Sequence, residues 1–217
     1  MRSGLLDQLD ADDRRALLAT MARRTFRKND TLFHAGDPGD TLHVVDKGHV
    51  AIRVSTRSGD VVTLTVLGPG ATFGEQALLD DRSVRTASAV ALDPVETRTL
   101  HRRDFEALRA ASPSVERFLT QMLAGQVRRL TEQLLDALYM GADQRVMRRL
   151  ADVAEVYAGE RNEAELLVRQ DDLASMAGTT RPTANRVLKQ LESDGTVSLA
   201  RGRIIVADVA ELRRRAK

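Results

Sequence analysis

Alternating apolar and polar residues fill much of the first half of the chain, and apolar residues at helical spacing fill the second. From Phe26 to Leu100, short alternating runs end in Gly, Asp or Pro at intervals of about eight to twelve residues, which predicts short strands joined by turns. This turn spacing is typical of an antiparallel sandwich or roll. Before the strands, Leu and Met side chains at helical spacing predict one packing helix over residues 5–24.

A long segment without interior proline runs from Pro113 to Met140 and is predicted to form a helix of about 40 Å. Apolar residues within it step by four and three positions, the spacing of a coiled-coil seam. The seam residues are Leu123, Val127, Leu130, Leu134 and Ala137. The residues expected to pack this helix onto the strands are Phe118, Leu119, Met122, Leu135 and Leu138. We therefore expect a homodimer, with a monomeric core helix as the alternative.

Beyond Gly141, which ends the long helix and is the expected hinge, helical spacing resumes from Gln144 to Ala158. A polar loop follows. Residues 166–195 then predict a helix, a turn and a second helix, with Gly178 at the turn and Thr180 as the cap of the second helix. The run GTVSLARGRIIV after them predicts a two-stranded wing.

The second helix and the wing carry polar and basic side chains suited to DNA. Arginine can read the two acceptors of guanine, and lysine or threonine can hold phosphates. The residues predicted to contact DNA are Arg169, Gln170, Thr180, Arg181, Thr183, Asn185, Arg186, Lys189, Arg201 and Arg203.

Composition narrows the chemistry open to the chain. The absence of cysteine excludes a disulfide scaffold, a thiolate metal site and a cysteine nucleophile, and 3% aromatic residues leave little for base stacking. The histidines show no metal spacing and no Ser-His-Asp order is evident, so we expect neither a metal site nor an enzyme. No apolar run reaches the roughly 18 residues that span a membrane, so a cytoplasmic protein is expected.

Charge is distributed unevenly along the chain. The net charge is +2, but residues 181–217 hold nine Lys or Arg and four Asp or Glu, a net of +5. A basic C-terminal end suits a nucleic-acid partner. For the final RRRAK, a solvated tail is the alternative.

Residues 73–89, FGEQALLDDRSVRTASA, hold the candidate ligand chemistry. Glu75, preceded by Gly74, stands ten residues before Arg85, and the runs VVTLTVL and ASAVAL on either side are predicted to be buried strands. EQALL predicts one short helical turn. A glycine amide at a helix start can receive an oxyanion, an arginine fits a phosphate with two bonds, and a glutamate accepts from sugar hydroxyls. The segment therefore predicts a pocket for one phosphate and a ribose, with a surface Glu75–Arg85 ion pair as the alternative.

This segment resembles the phosphate-binding cassette of cyclic-nucleotide-binding domains in the CRP/FNR family of bacterial transcription regulators. That family has G-E-x-A-L followed by R-[TS]-A, and the chain has Gly74-Glu75-Gln76-Ala77-Leu78 and Arg85-Thr86-Ala87. The resemblance runs from about residue 5 to about residue 206. It implies an α+β fold with a cyclic-nucleotide-binding antiparallel β-roll over 1–112, a dimerisation helix over 113–140 and a winged helix-turn-helix DNA-binding domain over 141–217.

The resemblance also implies roles for individual residues. Glu75 would hold the ribose 2′-hydroxyl, and Arg85 with the Thr86 hydroxyl would hold the cyclic phosphate. The positions that bond the base edge in cAMP-responsive members fall on Leu130 and Thr131, and Leu130 cannot form a hydrogen bond. The full set of expected ligand-binding residues is Gly74, Glu75, Gln76, Ala77, Arg85, Thr86, Leu130 and Thr131. The expected ligand is cAMP, with cGMP or no nucleotide as alternatives.

The chain departs from the family within the recognition helix. Arg181 and Arg186 match the family pattern, but Pro182 replaces a glutamate that would accept from cytosine. We expect palindromic half-sites that resemble the usual TGTGA, with a relaxed demand at one base pair.

The expected function is a homodimeric transcription regulator that binds double-stranded DNA under control of cAMP, with RNA polymerase as a further candidate partner. The alternatives are the same fold with another ligand or none, and a nucleotide-sensing subunit that acts on a protein.

Overall fold

The computed structural model describes residues 10–79 and 83–216. They divide into two compact units. One contains the described residues up to 50 together with 67–132, and the other contains residues 51–66 together with those from 133 onward.

The helices are α1 (Ala11–Thr20), α2 (Arg102–Ala111), α3 (Pro113–Tyr139), α4 (Ala142–Ala158), α5 (Gln170–Met176), α6 (Arg181–Ser193) and α7 (Val209–Arg215). The longer helices after the first strands follow the helical spacing, whereas α1 is shorter than predicted and α7 was not predicted. A 3-10 helix, Glu75–Leu78, forms the short turn predicted for EQALL. The long helix over 113–140 and the helix-turn-helix are thus confirmed as secondary structure.

The strands form three sheets. They are β1 (Ala22–Phe26), β2 (Thr31–Phe33), β3 (Thr41–Lys47), β4 (Val50–Ser55), β5 (Val61–Leu67), β6 (Thr72–Phe73), β7 (Ser88–Ala91), β8 (Val95–His101), β9 (Ala164–Leu166), β10 (Val197–Ala200) and β11 (Arg203–Val206). Their orders are β1-β8-β3-β6, β2-β7-β4-β5 and β10-β11-β9. The pairs β1–β8, β3–β8, β3–β6 and β2–β7 are antiparallel, which agrees with the predicted roll.

The core of the first unit lies where three helices cover a sheet. Leu42 and Leu100, from β3 and β8, are fully buried with Leu17 of α1, Phe105 of α2 and Phe118 of α3. Fully burying an apolar side chain of this size stabilises the fold by about 1.5–3 kcal/mol. The residues Phe118, Leu119 and Met122 therefore pack α3 against the strands as predicted.

Two other residues predicted to pack α3 do not do so. Leu135 is 50% exposed and Leu138 is 64% exposed. Both lie beyond Met122, the last residue of α3 that is fully within this core. Helical spacing identifies the apolar face of a helix but does not show how far along the helix the neighbouring core extends.

The predicted N-terminal helix is too long. Helix α1 ends at Thr20, and Ala22–Phe26 is a strand whose Ala22 pairs with Thr99. Pairing with β8 outweighs the local helical spacing here, because all five residues of β1 pair with β8 along one edge of that strand. Asp10 is the N-cap residue but its side chain forms no capping bond. Leu5, Leu6 and Leu9 lie outside the described residues.

The strand β5 is not the buried strand that VVTLTVL predicted. Val61 is 66% exposed and Leu64 is 49% exposed, whereas Thr63 and Val66 are buried. Apolar residues occupy both faces of β5, so composition alone could not identify the covered face.

In the second unit, α4, α5 and α6 pack around a core to which α4 contributes one apolar face, as its helical spacing predicts. Val146 and Leu150 are fully buried, and Val153 and Tyr157 are nearly so. Gly178, with φ +58°, forms the turn between α5 and α6. Arg145 ties this turn to the start of α4, because its guanidinium donates to Ala177 O at 2.8 Å and to Gly178 O at 3.1 Å.

Two elements of this unit were not predicted. Residues 164–166 form β9 beside β11, across the boundary between the predicted polar loop and the predicted helix-turn-helix run, and Leu166 is fully buried. The arginines of RRRAK lie on α7, where Arg213 bonds Asp152 at 2.6 Å and Arg215 bonds Asp194 at 2.7 Å. The solvated-tail alternative is therefore wrong for Arg213 and Arg215, since carboxylates outside α7 hold them. Arg214 pairs with Glu211 of its own helix and is 67% exposed. Lys217 lies outside the described residues.

Candidate functional site

The cassette turns at Gly74, which has φ +79° and precedes the 3-10 helix Glu75–Leu78. A side chain in this left-handed conformation would be strained. A Cβ would also displace the end of the Arg85 side chain, because its ideal position is 2.5 Å from Nη1 of Arg85, and it would press on the Thr41 carbonyl oxygen at 3.1 Å. The backbone therefore favours glycine here, and glycine leaves Arg85 in its observed position.

Arg85 is buried within the protein, with only 7% of its surface exposed. Its Nη1 donates to Thr41 O at 2.8 Å and to Gly74 O at 3.3 Å, and its Nη2 donates to Thr41 Oγ1 at 2.7 Å. The guanidinium carbon stands 4.1 Å from the centre of the Phe33 ring, a cation–π contact. Backbone carbonyls, a hydroxyl and a ring thus orient Arg85.

The charge of Arg85 lacks a direct counter-ion. Within the described part of the chain, it forms no ion pair, and its Nε is buried without a hydrogen-bond partner. Burial lowers the pKa of Arg85, and the carboxylates of Asp40, Asp37 and Glu75 act in the opposite direction. A buried cation without a bonded anion is costly, so this group is suited to receive an anion from outside.

An uncharged aromatic cluster lies beside Arg85. The ring of His43 stacks on Phe73 with centroids 5.0 Å apart and lies 5.6 Å from that of Phe33. Burial, with the nearby Arg85 as the next cause, lowers the pKa of His43 to about 3. His43 is therefore neutral near pH 7, and Arg85 is the cation of this cluster.

The structure brings some of the expected ligand-binding residues together. Gly74 and Arg85 are in contact, and Ala77 is buried beneath the turn. Glu75 is half-buried, whereas Gln76 and Thr86 are exposed. The surface Glu75–Arg85 ion pair considered above is wrong, since Arg85 is buried and bonds Thr41 instead. Asp80, Asp81 and Arg82, between the two halves of the cassette, lie outside the described residues.

Thr41 and Phe33 were missed by the sequence analysis, although both contact Arg85 directly. Thr41 is 44 residues from Arg85 and belongs to no motif that includes it. The only available signal was that Thr41 starts a predicted strand, which says nothing about the partner of its hydroxyl.

The two base-edge candidates lie on the exposed side of α3. Leu130 is 56% exposed, and the Thr131 hydroxyl donates to Val127 O of its own helix at 3.0 Å. A groove of about 580 Å³ lies between residues 67–72 and the 121–129 part of α3. None of the expected ligand-binding residues lines this groove, so the roles of Leu130 and Thr131 remain predictions.

The predicted seam of α3 is largely uncovered. Val127, Leu130 and Leu134 are between 56% and 62% exposed, and Ala137 is also exposed. Leu123 is the exception, because it is partly buried against the core of the first unit. The neighbouring Tyr139 is 80% exposed. An exposed apolar stripe of this length indicates an interaction surface.

The helix α6 has the two faces that the sequence predicted. Val187, Leu188 and Leu191 are at most 4% exposed on its inner face. Thr180 is the N-cap residue and its side chain accepts from the Thr183 amide at 3.5 Å. Pro182 lies in the first turn, where a missing N–H leaves no bond unmade.

The basic residues on the outer face of α6 each have a carboxylate partner. Arg186 Nη2 lies 2.5 Å from Asp143, Arg181 Nε lies 3.5 Å from Asp171, and Lys189 Nζ lies 2.7 Å from Glu192. The arginines remain well exposed, with 61% and 66% of their side chains accessible.

The remaining DNA-contact candidates lie on three elements. Arg201 is exposed at the tip of the β10–β11 wing, and Arg203, the next arginine, pairs with Glu165 at 2.6 Å. Arg169 is exposed before α5, and Gln170 at its start is half-buried. Thr183 and Asn185 of α6 are also half-buried. The exposure of these side chains does not test whether they contact DNA, so the DNA contacts stay predictions.

The described residues contain neither a candidate metal site nor a candidate membrane-spanning helix. No group of three or more His, Cys, Asp or Glu side chains that could hold a metal ion occurs among residues 10–79 and 83–216. Nor does any helix in those ranges combine the length and apolar character needed to cross a membrane.

Comparison with known families assigns both halves of the chain. Residues 23–112 match the cyclic nucleotide-binding domain, and residues 144–215 match the Crp-like helix-turn-helix domain. These matched ranges contain the cassette and the α5–α6 helix pair respectively.

Individual relatives cover nearly the whole chain. The "Cyclic AMP receptor protein" of Thermus thermophilus is 34% identical over 195 residues, which are 90% of this chain and 88% of that protein. The "CRP-like cAMP-activated global transcriptional regulator" of Mycobacterium tuberculosis is 26% identical over 219 residues, 100% of this chain and 97% of that protein. A crystal structure of the Thermus thermophilus catabolite activator protein superposes with a TM-score of 0.57 at 33% identity, covering 99% of this chain and 98% of its own.

Proposed function

Since the chain belongs to the CRP/FNR family of transcription regulators, we propose that it is a cytoplasmic homodimer whose DNA binding is controlled by cAMP. The family makes transcription regulation and DNA binding the function of the chain. The identity of the ligand, the dimer, the palindromic half-sites and any contact with RNA polymerase belong to the proposal.

The burial and bonding of Arg85 are the main support for a nucleotide ligand. Its guanidinium is 7% exposed, bonds only uncharged acceptors in the described structure and has an unpartnered Nε. A cyclic phosphate carries one negative charge and several acceptor oxygens, which is what this arginine lacks. The residues present therefore fit a phosphate.

The rest of the cassette suits the remainder of a cyclic nucleotide. The left-handed Gly74 starts the 3-10 helix and removes the side chain that would fill the space beside Arg85. Glu75 is half-buried, and its carboxylate is suited to accept from a ribose hydroxyl. The Thr86 hydroxyl is exposed and available to a phosphate oxygen. We expect these residues and the backbone of Gly74 to Gln76 to bind the sugar-phosphate ring.

The dimer is supported by the apolar stripe of α3. Val127, Leu130 and Leu134 recur at coiled-coil spacing and are more than half exposed. A second copy of the same stripe would bury all of these side chains, and a two-fold dimer would present two copies of α6 to DNA half-sites about 34 Å apart. This is the reason for proposing palindromic half-sites.

Control of DNA binding requires that the nucleotide bind one arrangement of the protein more tightly than another. Leu130 and Thr131 lie on the same helix as the seam, so a ligand that contacts them would couple the cassette to the dimer. The second candidate function is a regulator of the same fold with another nucleotide or none. Its support is Leu130, which cannot bond a base and is exposed.

Calorimetric titration of cAMP and cGMP into the wild type and into Arg85→Gln tests the proposal. We expect cAMP to bind the wild type and Arg85→Gln to lose at least about 10-fold in affinity, since a charge-assisted bond contributes about 1.5–3 kcal/mol. Arg98→Gln is the matched control, because Arg98 is a half-buried arginine whose carboxylate partner, Asp46, lies 2.8 Å away. Equal cAMP affinity in the wild type and Arg85→Gln would contradict the proposal, and preference for cGMP would favour the second candidate.

A further inference from the structure

An ion pair joins the recognition helix to a helix far away in sequence. Arg186 Nη2 of α6 lies 2.5 Å from Asp143 Oδ1 in the first turn of α4. The two residues are 43 positions apart, and both are solvent-accessible, Arg186 at 61% and Asp143 at 46%. Asp143 raises the pKa of Arg186, so the arginine is fully charged while it is held.

The start of α4 is fixed firmly enough to hold Asp143 in place. Two residues further along, Arg145 donates to Met140 O at 2.7 Å and also bonds two carbonyls of the α5–α6 turn. The next residue, Val146, is fully buried. Asp143 therefore projects from a rigid turn toward Arg186, and the pair does not depend on two freely moving side chains.

A carboxylate at this position is unexpected on a surface that meets DNA. The phosphates of DNA repel it, and the cation that it neutralises is one of the predicted base readers. Asp143 accepts from Arg186 in the described structure and caps no helix with its side chain. Its carboxylate complements the positive N-terminal end of α4, as any first-turn acidic residue does, and through the pair it also competes with DNA for Arg186.

We propose that Asp143 is a specificity-determining residue that retains Arg186 on random DNA and releases it to a guanine edge. The idea rests on the proposed DNA-contact role of Arg186. A phosphate offers Arg186 little that the carboxylate does not already supply, so exchanging one for the other gains little. Guanine N7 and O6 accept two parallel hydrogen bonds from one guanidinium, and these bonds offset the loss of the Arg186–Asp143 ion pair. Because Arg186 has to leave Asp143 only at a preferred site, Asp143 lowers affinity for a preferred site more than affinity for random sequence.

The test compares Asp143→Asn, Arg186→Ala and the double variant with the wild type. Fluorescence anisotropy measures the affinity of each full-length protein for a mixed-sequence duplex and for the duplex that the wild type enriches from a randomised pool. We expect Asp143→Asn to tighten binding to the enriched duplex about two- to five-fold and to tighten mixed-sequence binding less, so that the ratio of the enriched-duplex affinity to the mixed-sequence affinity rises. In the Arg186→Ala background, Asp143→Asn should no longer change that ratio.

Asp171→Asn is the matched control, since it removes one negative charge from the same unit but releases Arg181 rather than Arg186. Its effect should be the same with and without Arg186→Ala. The inference is overturned if Asp143→Asn acts equally in both backgrounds, leaves the ratio unchanged, or weakens binding to both duplexes. If Arg186→Ala alone leaves the enriched duplex bound as tightly as before, the proposed contact of Arg186 with DNA is wrong. This result separates a failure of that contact from a failure of the role proposed for Asp143.

Discussion

The guanidinium of Arg85 fills the space that a side chain on Gly74 would need, because a Cβ on Gly74 would lie 2.5 Å from Nη1 of Arg85. The glycine at the start of the cassette and the arginine near its end are thus one structural unit. The short distance explains why a family motif has to specify both residues. It also means that a change at either residue should alter the other.

Gly74→Ala is expected to reduce both stability and cAMP binding. The left-handed backbone costs an L-residue about 1–2 kcal/mol, and the added methyl group displaces the guanidinium. Gly59→Ala is the matched control, because Gly59 has φ +89° but no atom within 4 Å of its ideal Cβ. Thermal unfolding should show a loss in both variants, and calorimetry should show weaker cAMP binding in Gly74→Ala alone. Unchanged cAMP affinity in Gly74→Ala would argue against contact between the two residues.

Thr41→Val is expected to lower the free energy of unfolding by about 1–3 kcal/mol, measured by urea denaturation. The valine keeps the shape of the side chain but removes Oγ1, which accepts from Arg85 Nη2 at 2.7 Å. A donor of the buried guanidinium then has no partner. Thr41→Ser, which retains the hydroxyl, should stay closer to the wild type. If both variants lose the same free energy, the methyl group rather than the hydrogen bond is responsible.

His43 is expected to make stability depend on pH. Its pKa is lowered to about 3 in the fold, whereas an unfolded histidine has a pKa of about 6.5. The unfolded chain therefore binds more protons between these values. The contribution of neutral His43 is fully present above pH about 6.5 and is lost as the pH falls toward 3.

Replacing His43 removes the proton that the unfolded chain binds at this side chain. In His43→Phe, the slope of unfolding free energy against pH should fall by up to about 1.4 kcal/mol per pH unit between about pH 4 and 6, by urea denaturation. His34→Gln, at an exposed histidine, should retain the wild-type slope. An identical slope in His43→Phe and the wild type would show that His43 is not held neutral.

Leu134→Glu is expected to convert the dimer to a monomer without unfolding the chain. Leu134 is 58% exposed, so the charge meets water in the monomer but would be buried in the seam. Sedimentation should give twice the monomer mass for the wild type and for Gln133→Glu, an exposed neighbour outside the seam, and the monomer mass for Leu134→Glu. A wild-type monomer, or a dimeric Leu134→Glu, would exclude this interface.

The sequence predicted those helix faces and turns that are formed by residues close together in the chain. The inner face of α6, with Val187, Leu188 and Leu191, follows directly from helical spacing, and the turn at Gly178 follows from its left-handed backbone. The cassette was found because two short motifs lie within one segment of sequence. These elements are confirmed because the residues that form them are neighbours in the chain.

Features that depend on distant partners were not predictable in the same way. β9 forms because Leu166 pairs with Ile204, and β1 forms because Ala22 pairs with Thr99. Thr41 orients Arg85 from 44 residues away, and Asp143 holds Arg186 from 43 residues away. Nothing in the spacing of a single sequence encodes these pairings, so the bonds that orient the arginines emerged only from the fold.

We propose that a cyclic nucleotide held by Arg85 controls DNA binding. The most direct measurement is the affinity of the full-length protein for its enriched duplex, by fluorescence anisotropy, with and without cAMP, in the wild type and in Arg85→Gln. We predict that cAMP changes the affinity of the wild type about 5- to 150-fold, a coupling of about 1–3 kcal/mol, and does not change that of Arg85→Gln. Equal affinity of the wild type with and without cAMP, or an equal response in Arg85→Gln, would contradict the account.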